Sequence, residues 1–253
     1  QVSEIYGQAI GETTGKPVQM TVLGLGKLGG CELNLSSDVD LIFCFRENGK
    51  TNGAKSISNH EYFVKTGQVL IDILSNPSPE GIVFRVDMRL RPNGDSGPLA
   101  LSFDAIDHYF LTHGRDWERY ALIKARPIAG DLSAGKDLLE TLRPFIYRKY
   151  LDFSAFDSIR KMKTLIEQSI KRKDFKNNIK IGRGGIREIE FFIQSQQLIY
   201  GGRYPELRTP SIFKAITGLE SLKIISEKEC LAIREQYKFL RILEHRLQIM
   251  DDA

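Results

Sequence analysis

The stretch that most restricts the fold is residues 22–41, VLGLGKLGGCELNLSSDVDL, where a glycine-rich turn lies between two β-prone runs. Gly24, Gly26 and Gly29 satisfy the G-x-G-x-x-G spacing of a dinucleotide-binding crossover, and Glu47 stands about 20 residues further on, where a ribose-binding acid belongs. Three features oppose that reading. A helix opened by these glycines has to end by residues 34–37, too soon for a full crossover. Strand signals nearly vanish after about residue 100, so the further βαβ units are missing. Nor does a dinucleotide fold explain two aspartates at alternate positions opening the second run. Asp38 and Asp40 share one face of a strand, and Val39, Leu41 and Phe43 take the other, towards a core. Carboxylates side by side repel unless a cation neutralises them. Such hard oxygen donors suit Mg2+, which binds through one or two carboxylates plus substrate phosphates.

A site that moves phosphoryl groups with two metal ions wants a third carboxylate from a neighbouring strand. Residues 82–90, IVFRVDMRL, are expected as that strand. Alternation puts Arg85, Asp87, Arg89 and Arg91 on one face, and Ile82, Phe84, Val86, Met88 and Leu90 on the other. Asp87 is then a ligand flanked by phosphate-binding arginines, although a solvated strand edge gives the same pattern. Upstream, Gly29 and Gly30 allow a close backbone approach that brings N–H groups onto phosphates. Lys124 and Arg126, two apart in the β-prone end of GRDWERYALIKAR, are candidates to face a phosphate. A salt-bridged surface with Trp117 as its packing anchor, buried as a lone tryptophan usually is, accounts for that block equally well. The Gly-rich turn of KIGRGGIREIEF (180–191) opens a helix without the Lys-Ser/Thr of a P-loop. Glu188 and Glu190 suit the dipole of that helix, and whether either reaches a cleft stays open.

Helical periodicity is expected over 60–74, 102–113, 134–150, 153–173, 186–200 and 226–250. The class is therefore α+β: a mixed domain over 1–150 with a small mixed sheet, then a helical domain over 151–253 whose last helical pattern stops without a stop signal, as in a piece cut from something longer. The first eleven residues read as the tail of a helix running into a turn. With 36 basic and 32 acidic residues the net charge is only +4, which does not point to nucleic acid. No apolar run approaches the length of a membrane span, and no secretory signal is visible. Three scattered cysteines, each expected as a small buried hydrophobe, argue against a disulfide framework and for a reducing compartment, the cytoplasm. The four histidines show no metal spacing.

The pattern GLGKLGGCELNLSSDVDL resembles the nucleotidyltransferase motif of the glutamine synthetase adenylyltransferases, the bifunctional adenylyltransferase/adenylyl-removing enzymes of the DNA polymerase β-like superfamily. RVDMRLRPNGDSGPL, GRDWERYALIKAR, PFIYRKYLDF and GRGGIREIEFFIQ extend the resemblance in the right order, from about residue 18 to the end. It implies Asp38, Asp40 and Asp87 as catalytic metal ligands for Mg2+. Gly29, Gly30, Ser37, Arg89, Arg91, Lys124 and Arg126 are then the residues for phosphate or nucleotide. NGDSGPLALS, and Arg119 rather than histidine after Glu118, resemble the N-terminal, AMP-removing copy. That copy implies phosphorolysis: inorganic phosphate takes AMP from a tyrosine of glutamine synthetase and leaves as ADP. Also implied is a PII-type signal protein acting through domains this sequence lacks. The alternatives are transfer of AMP from ATP to the same tyrosine, and a silent docking module; an enzyme acting on RNA ends would want a more basic, aromatic-lined groove.

Overall fold

The computed structural model describes residues 2–79, 81–149, 157, 160–161, 163–164 and 178–251. Most of the helix expected over 153–173 lies outside the described residues, as do Tyr150 and its followers at the expected domain boundary. The chain divides into two compact units, residues 1–33, 37–115 and 124–143, and residues 34–36, 116–123 and 144–253. The second unit thus takes in the helix around Trp117 and part of the glycine-to-aspartate loop.

In the first unit, α1 (Val2–Tyr6) leads into β1 (Ala9–Gly11), so the opening is a short helix and a strand rather than a helix tail alone. Then follow β2 (Met20–Gly24), the single-turn α2 (Gly26–Gly29), β3 (Val39–Phe45), β4 (Gly49–Thr51) and α3 (Asn59–Ser75). After these come β5 (Val86–Asp87), β6 (Ala100–Ser102) and α4 (Phe103–Thr112). β1 and β4 form a separate antiparallel ribbon. The main sheet is mixed, in the order β5-β3-β2 and then β7 (Arg126–Gly130); β2 runs antiparallel to both neighbours. On the far side of β3, β5 pairs parallel with its beginning and β6 parallel with its end. This places β3 at the centre of the sheet, and it is buried on both faces. Val39, Leu41 and Phe43 enter the core as the alternation requires, but so do Ile42 and Cys44.

Ser58 caps α3 by accepting from the Glu61 N–H, and the helix lies on the sheet at Gly67. A Cβ there would stand 2.6 Å from the Phe43 ring, so glycine permits the close approach. Phe45 and Phe63 stack beside it at 4.8 Å, and these rings carry much of the core. Glu47, the residue a dinucleotide fold would spend on ribose, accepts instead from the N–H and hydroxyl of Thr14.

The end of α6 (Leu132–Ile146), from Pro144 on, falls to the second unit. That unit also holds α5 (Asp116–Leu122), α7 (Ile186–Tyr200), α8 (Ile212–Ser221) and α9 (Glu227–Asp251). Ile186, Ile193, Leu207, Ile212, Ile216, Leu219 and Tyr237 fill the core of α7, α8 and α9. The architecture is that of a polymerase β-like nucleotidyltransferase domain followed by a helical domain. Among the described residues no helix is long and apolar enough to cross a membrane.

Candidate active site

The carboxylates are placed by strand register. Asp40 on β3 pairs with Asp87 on β5, and Val39 with Val86, in a parallel ladder. Asp40 and Asp87 therefore stand abreast on neighbouring strands, roughly 4.8 Å apart at the backbone. Two residues earlier, just ahead of the two strands, Arg85 Nε donates to Asp38 Oδ1 at 2.6 Å.

The glycine turn closes over this pair. The Leu25 N–H donates to the Asp40 carbonyl at 2.9 Å, and Gly26 follows with φ +52. A Cβ on Gly26 would lie 2.2 Å from Asp40 Oδ2. Glycine is required twice over at this position, by the left-handed backbone and by the carboxylate against it. The N–H groups of Gly29 and Gly30 donate to the carbonyls of Leu25 (2.8 Å) and Gly26 (3.1 Å), within the turn itself. Gly29 has a packing role too, since its Cβ would meet the Lys124 carbonyl at 1.9 Å.

The turn is held from behind. Arg126 Nε donates to the Gly29 carbonyl at 3.1 Å and its Nη2 to the Leu28 carbonyl at 3.0 Å. Lys124 Nζ pairs with Glu32 Oε2 at 3.1 Å, both side chains being nearly covered. α5 ends at Leu122 and β7 begins at Arg126, so these two cations do not share a strand face. Arg91 is also buried. It donates to the carbonyls of Met88, Asp95 and Gly97 and closes the loop between them. Ser37 is buried just ahead of Asp38.

The strand expected over 82–90 is paired only at Val86–Asp87. Phe84 N–H goes to the Leu74 carbonyl, and beyond Met88 the chain turns through Asn93 and Gly94, both at positive φ. Ile82 and Val83 are exposed rather than packed. Arg89, just past β5, grips Asp87: its N–H donates to Oδ1 at 2.8 Å, its Nε to Oδ2 at 3.0 Å and its Nη2 to Oδ2 at 2.5 Å. Asp87 is largely covered while the Arg89 side chain is 71% exposed.

Hydrogen bonds from Arg89 hold the Asp87 carboxyl below the usual carboxylate range, against the opposing effect of its burial. A depressed folded-state value contributes stability above the unfolded pKa of about 3.9, and that stability is lost as pH falls through the folded value. Arg89→Met is therefore expected to lower the urea midpoint at pH 7. Its gap from the parent chain should narrow as pH is lowered towards 3. A gap independent of pH would mean that the pair does not act through charge.

Among the described residues no three His, Cys, Asp or Glu side chains are gathered closely enough to hold a metal ion. In this arrangement Asp38 and Asp87 are each turned to an arginine. The donor chemistry nevertheless fits a hard divalent cation: Asp40 and Asp87 stand abreast on paired strands, Asp38 lies one residue ahead of β3, and the Asp40 carboxylate is laid against the bare Gly26. The groove of about 750 Å³ between α1 and α3, lined by Tyr62, Thr66, Asp72 and Ile73, holds none of these residues.

Gly26, whose positive φ the G-x-G spacing foreshadows, was not singled out as a site residue by sequence; Arg85 was read as one of the arginines flanking Asp87, but its pairing with Asp38 was not. In the second unit, Glu188 Oε2 accepts from the Gly184 N–H of its own turn at 2.7 Å, and Glu190 Oε1 from the Tyr237 hydroxyl at 3.1 Å. Trp117 is 40% exposed, contrary to the burial expected of it, because α5 turns Glu118, Arg119 and Leu122 inward. Cys31 is exposed as well, on a left-handed turn; only Cys44 and Cys230 are buried as expected.

Known proteins match this chain along its length. Residues 1–141 match the family described as Glutamate-ammonia ligase adenylyltransferase, and residues 160–253 match the one described as GlnD PII-uridylyltransferase. The chain is 52% identical over 248 residues to the bifunctional glutamine synthetase adenylyltransferase/adenylyl-removing enzyme of Pseudomonas syringae pv. tomato, covering 98% of this chain and 25% of that protein. The proteins of the same name from Pseudomonas aeruginosa and Nitrosococcus oceani are also 52% identical, over 98% and 99% of this chain and 26% of theirs. The chain spans about a quarter of the length of the curated relatives it matches. On this identity, and on a family match covering more than half its residues, the chain belongs to the glutamate–ammonia ligase adenylyltransferase family.

Proposed function

We propose that this chain is a nucleotidyltransferase domain that removes AMP from an adenylylated tyrosine of glutamine synthetase, with inorganic phosphate as acceptor. The observation that carries the reading is the register of Asp40 against Asp87, with Gly26 laid against the Asp40 carboxylate. Asp38, Asp40 and Asp87 would hold Mg2+, which when bound neutralises charge on the AMP phosphate and on the incoming phosphate. A phosphate oxygen forms a bond to the α-phosphorus as the bond to the tyrosyl oxygen breaks. The products are ADP and a phenolate that takes up a proton. Phosphate is a competent nucleophile near neutral pH, so the chain's part is to align the two phosphates and screen their charge. Arg89 and Arg85 are the exposed cations of this face and are suited to that screening. Gly29, Gly30, Ser37, Arg91, Lys124 and Arg126 belong to the same reading as the frame that holds turn and loop in place.

The direction of transfer rests on the likeness of NGDSGPLALS and GRDWERYALIKAR to the AMP-removing copy. Glutamine synthetase is then the protein substrate and the cytoplasm its compartment. A uridylylated PII-type signal protein would act through other parts of the longer enzymes, so it should not change the rate of this chain alone. The test mixes the chain with adenylylated glutamine synthetase, Mg2+ and phosphate and follows released nucleotide. ADP that appears only with phosphate supports removal. AMP attached to unmodified glutamine synthetase from ATP would reverse the direction, and inactivity both ways would leave a docking module.

A further inference from the structure

Three carboxylates and two guanidinium groups gather where β3 begins beside β5: Asp40 abreast of Asp87 in the ladder, Asp38 and Arg85 paired just ahead of it, and Arg89 on Asp87 just beyond it. The five groups are not equally committed. Arg91 is buried among loop carbonyls, Arg126 is tied to the glycine turn, and Lys124 is nearly covered beside Glu32. Arg85 and Arg89 differ. Their side chains are 61% and 71% exposed, and each rests on a carboxylate that the proposed reaction needs for a cation. The Arg89 charge is also stabilised by Asp95 and Asp40, after the dominant contribution of Asp87, so it lies in the field of two of the three site carboxylates. The Arg85–Asp38 pair is open to solvent on both sides, whereas Arg89 is open and the Asp87 it grips is largely covered, so either guanidinium can swing into water without unpacking the core. A guanidinium released from a carboxylate presents the same planar fork to a phosphate.

We propose that Arg85 and Arg89 are exchange residues: each holds a site carboxylate while no divalent cation is bound, and passes to a phosphate oxygen when a cation takes that carboxylate. The inference rests on reading the site as a metal-dependent nucleotidyltransferase centre, and adds to it how cation and phosphate enter. Without phosphate, the cation competes with two arginines. With phosphate present, the displaced arginines gain a new partner, so each ligand strengthens binding of the other by the same factor. The face then keeps its charge balanced in both states: carboxylates against arginines before loading, carboxylates against the cation and arginines against phosphate after it.

The test is Mn2+ binding to the full 253-residue chain by calorimetry at buffered free Mn2+, alone, with inorganic phosphate and with ADP. The parent chain, Arg85→Met, Arg89→Met, the double variant, Arg85→Lys and Asp40→Asn are compared, with circular dichroism confirming the fold of each. In the parent, phosphate should raise Mn2+ affinity about fivefold or more. Each Met variant should bind Mn2+ about two- to fivefold more tightly without phosphate, and the double variant should lose most of the enhancement by phosphate. Arg85→Lys should fall between Arg85→Met and the parent. Enhancement by ADP alone identifies the nucleotide's phosphates as the receivers, and enhancement by inorganic phosphate alone the attacking one; either supports exchange. Mn2+ affinity unchanged or weakened in both Met variants, while Asp40→Asn abolishes binding, would overturn exchange and leave the metal site standing. Binding indifferent to Asp40→Asn would overturn the metal site and exchange together. None of these readouts involves AMP removal, so failure of the proposed reaction is told apart from failure of exchange.

Discussion

Asp40→Asn is expected to slow ADP formation from adenylylated glutamine synthetase by at least about a thousandfold, while leaving the urea midpoint close to that of the parent chain. Asparagine keeps the size of aspartate, and the ladder between Val39–Asp40 and Val86–Asp87 is made by backbone groups that the change does not touch. What disappears is the negative charge at the point where Gly26 has been left bare to admit it. Initial rates with saturating phosphate, paired with a urea titration, check both halves of the statement. A rate within tenfold of the parent's would remove Asp40 from the reaction. A rate lost together with the midpoint would assign it a folding role instead.

The second large effect is expected at Gly26→Ala. The backbone there sits at φ +52, where a Cβ costs about 1–2 kcal/mol. That Cβ would also come within 2.2 Å of Asp40 Oδ2. The carboxylate is the end of a side chain and gives way before the sheet does, so the damage falls on its position. A displacement on the order of 1 Å at a reacting centre costs about a hundredfold in rate. Gly15→Ala is the control: φ is +63, and nothing lies within 4 Å of the added carbon. It carries a similar backbone penalty with no collision. Lower stability in both variants, with activity lost only in Gly26→Ala, is the expected result. Equal activity in the two would show that the turn does not govern the carboxylate.

Much of the fold could be read from periodicity, and the helices over 59–75, 103–112, 186–200 and 227–251 lie where the spacing of apolar residues puts them. The central strand was legible too, though alternation described only one of its faces. Ile42 and Cys44 are covered because β3 has layers on both sides, which a period of two cannot announce. Residues 82–90 look like a strand by composition, yet pairing needs a partner. Beyond Asp87 the chain is drawn into a turn by Pro92, Asn93 and Gly94 and by the carbonyls gathered on Arg91. The glycines were recognised as a turn, but their N–H groups are used inside it. Lys124 and Arg126 showed in the sequence only as two cations at alternate positions. Their partners lie 92 and 97 residues away, a distance over which no local pattern carries information. The α8 helix and the short strands β1, β4 and β6 escaped for a different reason: each is a brief element held by tertiary packing or pairing rather than by a strong period of its own.

The parallel pairing of β3 with β5 also sets the order in which this protein can be built. Asp38 meets Arg85 across 47 residues of chain, and that excursion must fold back with α3 inside it before the ladder closes. Non-local parallel pairing of this kind is slow compared with helix formation. A nascent chain that has emerged only as far as α5 already carries all three carboxylates, but β7 has not yet joined β2, and Arg126 has not yet fastened the glycine turn. The proposed site is thus complete only once β7 has been made and added at the edge of the sheet opposite β5, after every one of its carboxylates is already in the chain.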